Sequence, residues 1–147
     1  AGDGPDLEKY KAMAKSLGVE DRVCFPGWRT DRASLLSIAD ICVLPSRYEP
    51  FGTVIAEAWF AGVPLVATRA DGARQYVTHE RDGLLLDIDD LDGLVQCLDR
   101  AANDHALRKV LVSNGQKTYD ELFSKRVVID NLIASYGDMI ARYENGQ

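Results

Sequence analysis

Short apolar runs alternate with longer stretches of helical periodicity along this chain. Continuous apolar runs at Arg22–Phe25, Ile41–Leu44, Pro64–Thr68 and Gly83–Leu86 predict short strands, buried on both faces. Apolar residues at three- and four-residue spacing predict helices near residues 5–17, 31–39, 52–61, 74–78, 91–98, 107–111 and 124–147. This alternation predicts an α/β fold, Rossmann-like, with a parallel sheet and helices on both faces. No internal linker is found, so we predict one domain over residues 1–147.

The composition narrows the choice of partners. The chain has 17 basic against 23 acidic residues, a net charge of −6, without a basic cluster, which argues against nucleic acid. No apolar run approaches the roughly 18 residues of a membrane span. Three scattered cysteines and two isolated histidines favour neither a zinc site nor disulfides, and they indicate a reducing cytoplasm. Cys24 and Cys42 lie in apolar runs and are predicted to be core residues.

The segment from Pro45 to Glu57 carries the strongest chemical signal. A buried strand leads through a polar loop into a helix whose first residues include Gly52 and Thr53. The N–H groups of that first turn and the helix dipole favour a phosphate, which Gly52 allows to approach closely. Glu57 lies four residues after Thr53, on the same helix face, where a carboxylate can bind a ribose diol. The alternative is that Glu49 merely caps the helix and Glu57 is solvated.

This segment, Glu49-Pro50-Phe51-Gly52-Thr53-Val54-Ile55-Ala56-Glu57, resembles the Glu-x7-Glu signature of retaining glycosyltransferase family 4, which has the GT-B fold. Five further blocks match the family's C-terminal, donor-binding domain in the same order: Ala1–Pro5, Asp21–Gly27, Ala39–Ser46, Ala61–Thr68 and Asp82–Leu85. The sequence looks most like enzymes of lipopolysaccharide or exopolysaccharide assembly. The resemblance implies transfer of a hexose from a nucleoside-diphosphate sugar to a glycan or lipopolysaccharide-core acceptor.

The resemblance also implies roles for individual residues. Glu57 would bind the ribose hydroxyls, and Glu49, the catalytic candidate, would bond a hydroxyl of the donor sugar. The amides of Phe51, Gly52 and Thr53 would meet the sugar and the diphosphate. The donor is then the substrate, and the family implies no separate cofactor and no metal.

Two further loops bear on the site. Gly27–Asp31 is similar to the family loop that borders the nucleobase, so Arg29 and Asp31 are candidates for nucleotide binding, against the alternative of a solvated loop. The Asp-x-Asp motif Asp87-Ile88-Asp89 is interpreted as chain-turning and helix-capping residues rather than a metal motif. Gln75 stands where the family commonly has a carboxylate, and Arg74 beside it adds a positive charge that could face phosphate.

The family pattern also has parts that this sequence lacks. Its donor domain opens with a strand, a basic phosphate-binding pair and a helix upstream of Ala1, and an N-terminal acceptor-binding domain precedes them. We therefore interpret the chain as a piece of a larger protein, expect it to be inactive alone, and place the parent enzyme in the cytoplasm or at the inner-membrane face. An unpaired strand edge and the apolar final helix predict a homodimer. The alternatives are another GT-B nucleotide-sugar enzyme, such as an epimerase, or a non-enzymatic flavodoxin-like binding module.

Overall fold

A computed structural model describes residues 2–144 of the chain. The chain divides into two compact units, with the boundary after Leu35. The interpretation of Ala1 as a cut end and the predicted extension of the last helix through residues 145–147 fall outside the described residues. A single domain over residues 1–147 stays a prediction.

The first unit contains one α-helix and a short 3-10 helix, and a second α-helix begins at its end. Helix α1 spans Leu7–Ser16, the 3-10 helix spans Glu20–Arg22, and α2 spans Arg32–Ser37. Ala14 is the buried residue of α1, at 6% exposure. The helices predicted near residues 5–17 and 31–39 are therefore confirmed.

The strand predicted at Arg22–Phe25 is wrong. The backbone at Val23 is extended, with φ −113° and ψ 117°, yet no strand among residues 2–144 pairs with this segment. Cys24 is exposed, so its predicted place in the core is wrong as well. A strand is defined by its hydrogen-bonded neighbour, and an apolar run without that neighbour stays extended coil.

The second unit is built on a parallel sheet. Its three strands are β1 at Cys42–Leu44, β2 at Leu65–Thr68 and β3 at Leu84–Leu86, in the order β1-β2-β3. Cys42 aligns with Leu65, and Val66 aligns with Leu84. These strands agree with the three later apolar runs to within one residue at each end, which confirms those predictions.

Helices connect and follow the strands. They are α3 at Thr53–Ala61, α4 at Asp71–Tyr76, α5 at Leu91–Asn103, α6 at His105–Leu122 and α7 at Lys125–Glu144. The carboxylates of Asp90 and Asp104 cap α5 and α6, accepting the N–H groups of Gly93 and Leu107 at 2.8 and 2.9 Å. These caps fix where the two helices start.

The sheet has packed side chains on both faces, because successive strand residues point to opposite sides. Leu65, Ala67 and Leu85 join α3 and α4 residues, including Ile55, Trp59 and Ala73, in one cluster. Val66, Leu84 and Leu86 join α5 and α6 residues, including Cys97, Ala101 and Leu111, in a second cluster. The α/β class and the helices on both faces are thereby confirmed.

Helix α7 differs from the other helices of this unit, because none of its described residues is buried. Its apolar residues Val128, Ile129, Leu132 and Ile133 are 41%, 42%, 50% and 66% exposed. None of the helices within residues 2–144 combines the length and the apolar character needed to cross a lipid bilayer.

Candidate functional site

The parallel strands place three loops along one edge of the sheet. The loop after β1 covers residues 45–52, the loop after β2 covers residues 69–70, and the loop after β3 covers residues 87–90. In open α/β sheets ligands bind outside the carboxyl ends of the strands. The β1–α3 loop, which we call the Glu49 loop, contains three of the seven candidate site residues: Glu49, Phe51 and Gly52.

Glu49 is half-buried and bonded into the turn that opens α3. Its Oε1 accepts the Gly52 N–H at 3.0 Å, and its main-chain oxygen accepts the Gly72 N–H at 2.7 Å. The bond to Glu49 uses the Gly52 N–H, one of the amides predicted to meet the donor, whereas α3 itself, from Thr53 to Ala61, receives no side-chain cap from the described residues. The Glu49 side chain is held in place by the same turn whose amides were predicted to face an anion.

Gly52 is buried and has a left-handed backbone conformation, with φ +73° and ψ +65°. A Cβ atom at this position would lie 2.9 Å from Ile55 Cδ1 and 3.3 Å from Glu49 Cγ. Glycine is thus required both by the backbone angle and by the space. The turn brings the chain from β1 into the first residue of α3.

Gly72, in the first turn of α4, lies against the main chain of Phe51. A Cβ atom on Gly72 would meet the Phe51 carbonyl oxygen at 2.5 Å, so the two segments approach as only a glycine permits. The ring of Phe51, 42% exposed, packs edge-to-face on Tyr76 and Phe123, with centroids 5.4 and 5.9 Å away. Phe51 therefore anchors its side chain on aromatic neighbours.

Thr53 and Glu57 lie on α3. Thr53 is exposed at the first helical position, and the helix geometry leaves its N–H and that of Val54 without a partner inside the helix. Glu57 is half-buried one turn later. Burial raises the pKa of the Cys42 thiol on β1 to about 11, and the negative charge of Glu57 adds to that rise. The Glu57 carboxylate is therefore electrostatically coupled to β1.

Arg29 and Asp31 belong to the first unit and pair with each other there. Arg29 Nε lies 2.7 Å from Asp31 Oδ1, and Arg29 Nη2 lies 2.5 Å from Asp31 Oδ2, a two-pronged ion pair. Hydrogen bonding to the guanidinium holds the pKa of the Asp31 carboxyl below its usual range, and the same bond raises that of Arg29. Neighbouring Trp28 is 76% exposed.

The acidic residues after β3 make ion pairs or cap a helix. Asp89 Oδ1 lies 2.7 Å from Arg47 Nε, and Asp87 Oδ1 lies 3.4 Å from Arg69 Nε. Asp90 caps α5. Within residues 2–144, no group of three or more His, Cys, Asp or Glu side chains is arranged to hold a metal ion. Arg74 and Gln75 are exposed on α4.

Three residues that the sequence analysis did not assign hold loops at the two ends of the sheet. Thr68 Oγ1, at the end of β2, donates to the Ser46 oxygen at 2.5 Å, with the Leu44 oxygen at 3.4 Å. Asp82 and His79 hold the turn before β3 through hydrogen bonds to main-chain N–H groups. A polar residue at the end of an otherwise apolar strand was the available signal for Thr68.

Proteins named as glycosyltransferases are similar to this chain in sequence. It is 38% identical over 141 residues to the lipopolysaccharide core biosynthesis glycosyltransferase LpsD of Rhizobium meliloti, covering 96% of the chain and 41% of LpsD. It is 35% identical over 129 residues to LpsE of the same organism, covering 88% of the chain and 38% of LpsE. The chain thus spans about two fifths of the length of these relatives.

A solved structure is also similar to this chain in fold. Anabaena HepE, crystallised in complex with UDP-glucose, superposes with a TM-score of 0.85 at 30% identity, covering 94% of this chain and 39% of HepE. The GT-B type of α/β fold expected from the sequence is thereby confirmed. The family model described as "Glycosyl transferases group 1" matches residues 1–118. The chain belongs to this family of glycosyltransferases.

Proposed function

We propose that this chain is the donor-binding part of a retaining glycosyltransferase of family 4 that transfers a hexose from a nucleoside-diphosphate sugar to a lipopolysaccharide-core or glycan acceptor. The observation that carries the proposal is the buried left-handed turn at Gly52, which opens α3 at the carboxyl end of β1. The likeness to a protein solved with UDP-glucose supports it, as do relatives named for lipopolysaccharide core biosynthesis.

The amino end of α3 is suited to the diphosphate. The N–H groups of Thr53 and Val54 in the first turn and the helix dipole present positive charge there. Breaking the bond between the sugar and the phosphate leaves negative charge on the departing nucleoside diphosphate. Fixed donors at Thr53 and Val54 would stabilise that charge as it develops, without reorganising.

Glu49 is proposed to position the donor sugar. An ionised carboxylate offers about four acceptor sites, so Glu49 can keep its bond to the Gly52 N–H and still accept a sugar hydroxyl. Because the turn already fixes the carboxylate, little conformational entropy is lost when the sugar binds. The transfer is proposed to keep the anomeric configuration, with Glu49 as a positioning group rather than the nucleophile.

Glu57 is proposed to bind the ribose. It follows Thr53 by four residues, about 6 Å along the helix axis, on the same helix face. A carboxylate at that depth can accept both hydroxyls of a ribose whose phosphates lie at the helix start. Arg29 and Asp31, which form an ion pair in the first unit, are proposed from the family resemblance alone as residues of the loop that borders the nucleobase.

The proposal is tested by isothermal titration of the chain with UDP and UDP-glucose. Glu57→Ala should weaken binding about 5- to 150-fold, since a hydrogen bond to a charged group contributes about 1–3 kcal/mol. Glu121→Ala, which removes an exposed carboxylate from α6, is the matched control and should bind as the unmodified chain does. Absence of binding by the unmodified chain would favour a non-enzymatic module, and equal binding by Glu57→Ala would remove the ribose role.

The remaining proposals concern the whole enzyme. We expect acceptor binding to need residues beyond this chain, so that the chain alone releases no UDP from UDP-glucose in a coupled assay. A release rate comparable to that of an intact transferase would contradict this. Homodimer formation is to be checked by light scattering at tens of micromolar, where a monomer would count against it. We place the parent enzyme in the cytoplasm, with the inner-membrane face as the alternative.

A further inference from the structure

Two main-chain carbonyls of the Glu49 loop accept hydrogen bonds, one from the last residue of β2 and one from the first turn of α4. Near the start of the loop, the Ser46 carbonyl accepts the Thr68 hydroxyl at 2.5 Å. Three residues later, the Glu49 carbonyl accepts the Gly72 N–H at 2.7 Å. The second contact is between main-chain atoms, whereas the first depends on one side chain. A substitution at Thr68 can therefore remove one fastening and leave the other.

Thr68 is a buried polar residue at the end of an apolar strand. It is 5% exposed, and it ends a strand whose other residues, Leu65, Val66 and Ala67, are apolar and at most 1% exposed. Its hydroxyl points across to the end of β1, where the Leu44 carbonyl lies 3.4 Å away and the Ser46 carbonyl closer. A hydroxyl is costly in such a place unless it is bonded. Here the acceptors of the hydroxyl are main-chain oxygens at the point where the Glu49 loop leaves β1.

We propose that Thr68 is a positioning residue of the donor site: its hydroxyl fixes the point where the Glu49 loop leaves β1, and so sets the placement of Glu49 and Gly52. This rests on the proposed function, because it assigns no contact between Thr68 and the substrate. The turn at Gly52 tolerates little displacement, since both its backbone angle and the close packing of Ile55 depend on the loop's path. A shift at Ser46 is therefore passed on to Glu49.

The test uses two pairs of variants that separate the hydroxyl from the volume of the side chain. Thr68→Val keeps the shape and removes the hydroxyl, and Thr68→Ser keeps the hydroxyl and removes a methyl group. We expect Thr68→Val to bind UDP-glucose about fivefold more weakly in isothermal titration, and Thr68→Ser to stay within about twofold of the unmodified chain. If Thr68→Val does not fold, Thr68→Ala against Thr68→Ser makes the same comparison. Equal loss in both members of a pair would overturn the proposal.

A second measurement does not depend on the donor. Amide hydrogen exchange of Gly52 and Gly72 should be about fivefold faster in Thr68→Val than in Thr68→Ser, while the Leu85 amide, bonded to His79 outside the loop, should be unchanged. Unchanged exchange at Gly52 and Gly72 would overturn the proposal, and so would faster exchange with unaltered UDP-glucose affinity. No UDP-glucose binding by the unmodified chain would instead overturn the proposed function, and exchange alone would then decide whether Thr68 positions the loop.

Discussion

The two edges of the sheet are built differently. At the β3 edge, His79 Nδ1 accepts the Leu85 N–H at 2.9 Å, and the Glu80 N–H donates to the Gly83 oxygen at 2.8 Å, so the preceding turn covers the strand. At the β1 edge, Val43 is 39% exposed, and no second strand among residues 2–144 pairs with β1. The same sheet thus has one edge covered by its own chain and one without a paired strand.

Asp82 secures the covered edge. Its Oδ1 accepts the Thr78 N–H at 2.7 Å, and its Oδ2 accepts the Thr118 hydroxyl at 3.1 Å. Its main-chain oxygen accepts the indole N–H of Trp59 at 2.7 Å. One residue, 2% exposed, therefore ties the turn before β3 to α3 and α6. From this contrast we infer that the β3 edge is the more stable of the two, while the Glu49 loop and Glu57 lie next to the β1 edge.

The largest effect is expected at Asp82. Asp82→Ala removes the acceptor of the Thr78 N–H, leaves the buried Thr118 hydroxyl without its partner, and opens a small cavity. We expect the free energy of unfolding to fall by about 3 kcal/mol in urea titrations. Asp99→Ala removes an exposed carboxylate from α5 and is the control, with an expected change below about 0.5 kcal/mol. Similar losses in the two variants would refute the idea that the β3 edge is the stable one.

The β1 edge should be the weak point at alkaline pH. Burial, aided by the charge of Glu57, raises the pKa of Cys42 from 9.0 to about 11. Below pH 9 the thiol is protonated in both the folded and the unfolded state, so it does not lower the free energy of unfolding. As the pH rises toward 11, the thiol ionises first in the unfolded state, and the free energy of unfolding falls. The loss should reach about 2–3 kcal/mol above that pH.

Cysteine variants isolate this contribution. The free energy of unfolding of Cys42→Ala, measured from pH 8 to about 11.5, should fall less than that of the unmodified chain, because the contribution of the Cys42 thiol is removed. Cys24→Ala, which removes an exposed thiol, should follow the unmodified chain. An alkaline fall of the same size in Cys42→Ala would assign it to other groups.

The strands of this sheet and the ends of α3 could be predicted from the sequence, because local patterns of residues determine them. The apolar runs at β1, β2 and β3 predicted each strand because a strand buried on both faces must be continuously apolar. Gly62 marked the end of α3 correctly, since the helix stops there in a left-handed turn. The start of α3 was predicted near Gly52, within one residue of Thr53, where the helix begins.

Long-range pairing could not be predicted in that way. Val23 and Cys24 look like strand residues, but whether a run becomes a strand depends on a neighbour elsewhere in the chain. His79 seemed isolated because its partner is the main chain of Leu85, and main-chain groups leave no trace in the sequence. Asp82 is similar, since its Thr118 partner lies 36 residues away.

His79 should contribute less than Asp82, because it supplies one hydrogen bond. His79→Ala leaves the Leu85 N–H at the sheet edge without its acceptor, which we expect to lower the free energy of unfolding by about 1–2 kcal/mol. Amide exchange at Leu85 should quicken in the same variant. His105→Ala, at an exposed position starting α6, is the control and should change neither quantity appreciably. An unaltered Leu85 amide in His79→Ala would mean that His79 does not protect this edge.

The smallest effect concerns the ion pair that connects the loops after β1 and β3. Arg47 Nε lies 2.7 Å from Asp89 Oδ1, but their side chains are 80% and 63% exposed. Solvent screens such a pair, so a double-mutant cycle with Arg47→Ala and Asp89→Asn should give a coupling of about 0.5 kcal/mol that shrinks with added salt. Asparagine suits the left-handed backbone of Asp89, at φ +65°, so the cycle reports charge rather than strain. A coupling above about 2 kcal/mol would mean that the two edges act as one unit, because a contact this exposed reaches that strength only within a cooperative network.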